Sequence, residues 1–157
     1  MGLMRVWAVA SLVLAAGAAE GVVISGNVKY TDGAGTAQPA RRVKIQVFAA
    51  NPGGDVLLSE VRSNNTGDWT STVTPPGGSV ALFTRVVADN DATTISFDTA
   101  GAAYFVSGPG TGPGGGATPP MVIDTDAGGS AEHAFAVADA LQTSWLYGTT
   151  MRGAAPV

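Results

Sequence analysis

Between residues 22 and 107 the sequence is a succession of short segments in which apolar and polar side chains alternate, separated by turn-forming residues. The clearest segment is VKIQVFA at residues 43–49, where Val, Ile and Val alternate with Lys and Gln. A period of two indicates a strand with one buried side. Such strands at regular spacing predict a mainly β chain, an antiparallel β-sandwich of about seven strands that occupies residues 20–107.

After residue 107 the composition changes. Residues 108–120 are mostly Gly, Pro and Thr, which is typical of a linker that buries too little apolar surface to become ordered. A final strand and a connector helix are predicted over residues 121–157. The helix repeats apolar side chains at steps of three and four residues, namely Ala134, Val137, Ala138, Leu141 and Trp145. Its wetter side carries Asp139, Gln142 and Thr143.

The apolar stripe of this helix needs a surface to cover it, because a free stripe would favour association. The strand VALFTRVV at residues 80–87 offers one, since it is apolar on both faces. Strands of this kind are covered on both sides. We therefore predict that the helix docks on the second face of this strand or on a partner domain.

The first 19 residues have the order of a secretory signal peptide. A short start containing Arg5 precedes an apolar run, and small residues from Ala16 to Ala19 follow it. The apolar run is shorter than the roughly 20 residues that span a bilayer. We therefore predict a secreted chain, extracellular or periplasmic, with no membrane association after cleavage.

The composition excludes several kinds of chemistry. The chain has no Cys and a single His, which removes thiol nucleophiles, iron–sulfur sites and zinc knuckles from consideration. Its formal net charge is −4, and no basic patch is interleaved with aromatic residues, so nucleic acid is not an expected partner. No catalytic residue and no cofactor are predicted.

Three motifs within residues 22–89 belong together. They are a first strand with Val23, Gly26 and Val28, an alternating strand with Val43, Ile45, Val47 and Phe48, and a turn with Thr66, Gly67 and Trp69. This pattern resembles the carboxypeptidase regulatory-like, or transthyretin-like, module. The resemblance implies an Ig-like or transthyretin-like β-sandwich that stabilises or positions a neighbouring domain.

The C-terminal segment AFAVADALQTSWLYGTTMRG carries a second resemblance. It is similar to a helix of large secreted bacterial proteins in which a zinc-peptidase-like domain follows a transthyretin-like module. The chain lacks His-Glu-x-x-His, whose two His on one helical face would bind zinc. Peptidase activity would therefore lie outside this chain. The lone His133 has no triad-like partners and is interpreted as an exposed helix residue. The transthyretin-like hydrolase of purine breakdown is not matched, because its several histidines and Tyr-Arg-Gly-Ser ending are absent.

Two acidic turns are candidates for calcium. One contains Asp89 and Asp91, and the other contains Asp124 and Asp126. Calcium takes carboxylate and carbonyl oxygens, but the position where an EF-hand has its bidentate Glu is Phe135. The alternative interpretation is that these residues only form turns, since Asp and Asn side chains bond their own backbone.

Three aromatic residues are candidates for ligand binding. Trp69, Tyr104 and Trp145 could act as platforms on which sugar rings stack. The alternative is that they are core residues, because Trp69 shares its face with Ser71 and Val73, and large aromatic side chains are mostly buried.

Three hypotheses for the function follow. The first is a secreted, non-catalytic accessory or interaction module whose partner is a neighbouring domain or protein. The second is a carbohydrate-binding module of prealbumin-like fold with a polysaccharide as its ligand. The third is the N-terminal part of a secreted zinc metallopeptidase, for which a His-Glu-x-x-His motif just downstream in the gene is the cheapest test.

Overall fold

The computed structural model describes residues 21–76, 80–96, 100–112, 114–123 and 130–152. Within these ranges the chain forms nine strands and one helix. They are β1 (Val22–Thr31), β2 (Ala37–Pro39), β3 (Lys44–Ala49), β4 (Val56–Arg62), β5 (Asp68–Val73), β6 (Leu82–Val87), β7 (Phe105–Thr111), β8 (Gly116–Ala117), β9 (Met121–Ile123) and α1 (Ser130–Arg152). The prediction of a mainly β chain that ends in a helix is confirmed. The predicted signal peptide lies outside the described residues.

The strands form two sheets. In the first, β1 pairs with β2 and β5 in antiparallel fashion and with β8 and β9 in parallel fashion. In the second, the order is β4-β3-β6-β7 and every pair is antiparallel. The two sheets share one hydrophobic core, which includes Ile24 and Val28 of β1 and Ile45 and Val47 of β3. The apolar residues of β3 therefore alternate because one side of the strand faces the core, as the sequence suggests.

Gly26 sits where β1 passes from one set of partner strands to the other. A Cβ atom at this position would lie 2.9 Å from the indole of Trp69 and would overlap the hydroxyl of Thr118. The glycine thus allows Trp69 and Thr118 to pack against the backbone of β1. A glycine inside a strand often marks a close approach to the backbone, and at Gly26 the approaching groups are the side chains of Trp69 and Thr118.

Two parts of the Gly/Pro-rich segment predicted as a linker form strands instead. Residues 108–111 complete β7, and Gly116–Ala117 form β8 beside β1. The linker prediction fails for these residues because strands pair through backbone N–H and C=O groups. Glycine carries both groups, so a segment without large apolar side chains can still join a sheet. Here Gly108 also leaves room for the side chain of Thr84, which donates a hydrogen bond of 3.0 Å to the carbonyl of Pro109.

The buried side of α1 agrees with the predicted one only in part, since Ala134 and Ala138 are buried as predicted. Val137 and Leu141 are 49% and 44% exposed, whereas Asp139 and Gln142 are 5% and 0% exposed. Phe135 is fully buried and joins the core shared by the two sheets. The helix packs against β1 rather than on β6. Within the described ranges no helix combines the length and apolarity needed to cross a bilayer.

The contacts of Asp139 explain why this charged side chain is buried. Its carboxylate accepts hydrogen bonds from the Tyr30 hydroxyl at 3.1 Å and from an Arg41 guanidinium nitrogen at 2.7 Å. The side chain of Asn90 adds a bond of 2.7 Å to the carbonyl of Ala138. A buried carboxylate is tolerated when it is paired and hydrogen-bonded, and these contacts hold the helix against the sheets.

The Tyr30 hydroxyl should make the stability fall at alkaline pH. Burial, together with the charge and hydrogen bond of Asp139, raises the pKa of Tyr30 from 10.0 to about 12. The folded state therefore keeps a proton that the unfolded chain loses, so this contribution is intact below pH 10 and disappears as the pH approaches 12. We expect a loss of about 2 to 3 kcal/mol in the free energy of unfolding over this interval.

Denaturant titrations across this pH interval would measure the loss. The Tyr30→Phe variant should lack this part of the profile, whereas Phe in place of the exposed Tyr147 should leave it unchanged. An identical alkaline decline in the wild type and in Tyr30→Phe would contradict the assignment.

Gln142 is a buried polar side chain whose amide is not compensated in the described part of the chain. It is fully buried, and neither atom of its amide has a hydrogen-bond partner there. Because an unpartnered amide loses its hydration on burial, we expect Gln142→Met to raise the free energy of unfolding by about 1 to 2 kcal/mol. Thermal and denaturant unfolding would measure the change.

A matched control is Gln38→Met, which removes a bond of 2.9 Å to Asp32 and should be neutral or slightly destabilising. Destabilisation of more than about 1 kcal/mol by Gln142→Met would mean that the amide is satisfied in the folded chain.

Candidate binding face

The acidic turn predicted as a calcium candidate lies in a cluster of ion pairs. Asp89 is 2.6 Å from the Lys44 ammonium and 3.0 Å from the Arg62 guanidinium, while Asp91 is 2.8 Å from Arg42. Burial raises the pKa of Asp89, but hydrogen bonds and positive charge from Lys44 and Arg62 outweigh burial and hold this pKa below its ordinary value. Both carboxylates are therefore neutralised by basic side chains of the same chain.

The other acidic turn and the lone histidine add no further group to this cluster among the described residues. Asp124 and Asp126 lie outside the described residues, and His133 is an exposed helix residue, as expected. Across the described ranges no group of three or more His, Asp or Glu side chains is arranged to hold a metal ion.

The three aromatic candidates lie on different elements. Trp69, on β5, is 6% exposed and belongs to the core, together with Val73 on the same side of the strand. This burial leaves the Trp69 ring without a free face for a sugar. Tyr104 is half-buried and packs against the core just before β7, and Trp145 is half-buried on α1.

A surface that the sequence did not single out is formed by the second sheet. The register pairs Leu57, Phe48 and Phe83 in one row across β4, β3 and β6, and Glu60, Gln46 and Arg85 in the next row. Phe105 on β7 pairs with Val87 on β6 one row further along. Directly paired residues point to the same side of a sheet. These eight residues define the outer face of the sheet, opposite the shared core.

Aromatic rings and one guanidinium group form the middle of the outer face. The rings of Phe48 and Phe83 are stacked with centroids 5.2 Å apart and planes 12° from parallel. The guanidinium carbon of Arg85 lies 4.8 Å from the centroid of the Phe48 ring and 4.4 Å from that of Phe105. Cation–π contacts on two sides hold this side chain in place, which leaves its charge at a fixed position on the surface.

The edges of the outer face expose apolar side chains. Leu57 on β4 and Phe105 on β7 are each 46% exposed. Because α1 packs against β1, the helix does not provide the cover that we expected for the second face of β6. An apolar, aromatic surface of this kind marks an interaction site in many soluble proteins.

The signal for this face was present in the sequence. Phe83 and Val87 made both faces of the strand apolar, which predicted that something covers it. Phe48 and Leu57 could not be added to the patch, because their pairing depends on a β-bulge between Val47 and Phe48 that shifts the register with β4.

A second feature is a shallow cleft of about 340 Å³ lined by Arg62, Asn64, Asp68, Trp69 and Thr70. Hydrogen bonds, first from the Thr66 hydroxyl and then from the Asn27 amide, lower the pKa of Asp68. The cleft therefore presents an ionised carboxylate next to the edge of the buried indole. Its polar groups can bind hydroxyl groups, but none of them is paired as a nucleophile and base.

No family model and no curated protein matches this chain. A 9R-lipoxygenase from Cyanothece is 14% identical over 66% of this chain and 16% of its own, with a TM-score of 0.44. An (S)-allantoin synthase is 13% identical over 66% of this chain and 41% of its own, with a TM-score of 0.37. A proposed carbohydrate-binding protein from Pseudomonas aeruginosa is 14% identical over 68% of this chain and 89% of its own, also with a TM-score of 0.37. This chain thus spans less than half the length of each of the first two proteins. The likeness is weak and concerns a β-rich fold.

Proposed function

We propose that this protein is a secreted, non-catalytic accessory module that binds a neighbouring domain or protein through the outer face of its second sheet. The observation that carries the proposal is the outer face itself, where exposed Leu57 and Phe105 flank a guanidinium held between aromatic rings. The described residues present binding groups on this face and no set of reactive groups arranged around a substrate.

The fold supports a transthyretin-like, or carboxypeptidase regulatory-like, β-sandwich. Two sheets contribute to one core, as in a sandwich. The motif residues also have physical roles, since Gly26 admits the Trp69 indole and Gly67 takes a positive φ in the turn before β5. A module of this type stabilises or positions another domain and leaves catalysis to it.

The chemistry of the outer face favours a protein partner. Aromatic residues and Arg are the side chains that contribute most to protein–protein binding energy. The most exposed apolar members of the face are Leu57 and Phe105, which gain by leaving water but offer no hydrogen bonds to a sugar.

Calorimetric titration of the purified chain against proteins encoded beside it, including any segment that follows residue 157 in the gene, tests the proposal. We expect binding that Leu57→Ser and Phe105→Ser each weaken about tenfold or more. Val122→Ser is the matched control, because Val122 is 48% exposed but lies on β9 of the other sheet. An affinity that is unchanged in both outer-face variants would contradict the proposal, and so would hydrolysis catalysed by the chain alone.

A polysaccharide is the second candidate ligand, and the cleft beside Trp69 favours it. Asn64, Asp68 and Thr70 line the cleft with groups that can bond sugar hydroxyls. Affinity electrophoresis on a panel of soluble polysaccharides separates the two candidates. Retardation that is lost in Thr70→Val but kept in Phe105→Ser would support the cleft, and unchanged mobility on every polysaccharide would exclude it.

A further inference from the structure

We propose that the outer face packs against the same face of a second copy of this chain, around a two-fold axis that runs along β3. The proposal rests on the part of the proposed function that makes the outer face a protein-binding surface, and it names a second copy of this chain as the protein bound there. Its basis is a complementarity of charge within the face itself.

The face carries one cation without a counter-ion. No hydrogen bond or ion pair in the described part of the chain involves the side chain of Arg85, and its Nε atom is buried without a partner. By contrast, each of the two Arg residues that precede β3 is paired with an Asp. A guanidinium with a buried, unpaired nitrogen gains from a carboxylate that reaches it from outside.

The same row carries one anion without a counter-ion. Glu60 is exposed on β4, and the contact found for its carboxylate among the described residues is a bond of 2.7 Å from the Gln46 amide. Gln46 is paired with Glu60 on one side and with Arg85 on the other. The two charges therefore flank β3 at a spacing of two strands, about 10 Å.

A two-fold axis along β3 brings these charges together. The rotation exchanges the β4 and β6 sides of the face, so the partner's Glu60 lies over Arg85 and the partner's Arg85 lies over Glu60. The same rotation sets the partner's Leu57 against Phe83 and the two Phe48 rings near each other. An isologous interface of this kind repeats each contact twice, and two sheets can pack face to face at about 10 Å.

The remaining charge on β3 does not oppose this arrangement. Lys44 points to the same side as Gln46 and would approach its own copy near the axis. Its ammonium is already 2.6 Å from Asp89, so most of its charge is compensated within each copy.

Sedimentation of the chain over a range of concentrations tests the proposal. We expect a reversible dimer whose dissociation constant rises about 30-fold or more in Arg85→Glu and in Glu60→Arg. The decisive sample is an equal mixture of the two variants. One copy then has two carboxylates and the other two guanidinium groups in the paired positions, so a heterodimer should form although neither variant dimerises alone.

The mixture also separates an interface effect from a folding defect, because a misfolded variant would not be rescued by its complement. A wild type that stays monomeric at all concentrations, single variants that dimerise as well as the wild type, or an inert mixture would each overturn the dimer. A monomeric wild type whose binding to an adjacent-gene protein is abolished by Leu57→Ser would overturn the dimer and leave the proposed function standing.

Discussion

Replacing Asp139 with Ala is expected to lower the free energy of unfolding by about 3 kcal/mol and to loosen the C-terminal helix. The carboxylate is nearly buried and accepts hydrogen bonds from Tyr30 and Arg41. Its removal leaves the Tyr30 hydroxyl unpaired and a guanidinium without its counter-ion. The estimate is at the low end for buried pairs because the Arg41 side chain is 30% exposed. Denaturant unfolding measures the stability, and hydrogen exchange of the helix amides measures the loosening.

Asp91→Ala is the matched control. Asp91 also contacts two guanidinium groups, those of Arg42 and Arg62, but its side chain is 34% exposed. Exposed ion pairs contribute little, so this change should cost less than about 1 kcal/mol. Equal losses in the two variants would show that burial of Asp139 has no special weight in attaching the helix.

Gly67→Ala is expected to destabilise the protein by about 3 kcal/mol or more, for two additive reasons. The residue has φ of 82°, where a side chain is strained. A Cβ atom would also overlap the carbonyl oxygen of Val28, whose own N–H donates a 2.9 Å bond to the Gly67 carbonyl. Neither the turn at Gly67 nor β1 at Val28 can move away without breaking the hydrogen bond that joins them.

Gly101→Ala separates the two reasons. Gly101 has nearly the same φ of 83°, but a Cβ atom there would meet no atom within 4 Å. We expect this control to lose only the backbone part, about 1 kcal/mol. Thermal unfolding of the pair of variants would measure the difference, and similar losses for both would refute the overlap with Val28.

The alternating strands were predictable because each depends on its own few residues. Trp69, Ser71 and Val73 are all buried on one side of β5, as their spacing indicates. Burial of one face of a strand is a local property of period two, and the turn residues on either side mark its ends.

The helix phase was not predictable by the same reasoning. The sequence pattern assigned Asp139 to the solvent-exposed face of the helix, because a charged side chain disfavours burial. The cation that compensates it, Arg41, is 98 residues away in the chain. A pairing of this length depends on the packing of β1 and the helix, which no window of the sequence contains.

The outer face was predictable only in part. The apolar side chains on both faces of β6 indicated a surface that another element or molecule covers, and this stays a prediction. Of the two covers that the sequence left open, the helix is excluded because it packs against β1, and its predicted stripe includes the exposed Val137 and Leu141. The row of Glu60, Gln46 and Arg85 required the pairing of three strands, so it emerged only with the register.

The arrangement around β1 has a consequence for how the protein is made. Among the described strands β1 comes first in the chain, yet it is completed by β8, β9 and the helix, which come last among the described elements. A nascent or prematurely terminated polypeptide would carry this strand with an open edge, able to recruit foreign backbones. The edge of β1 that β8 and β9 cover would therefore stay open until residues 116–123 have been synthesised.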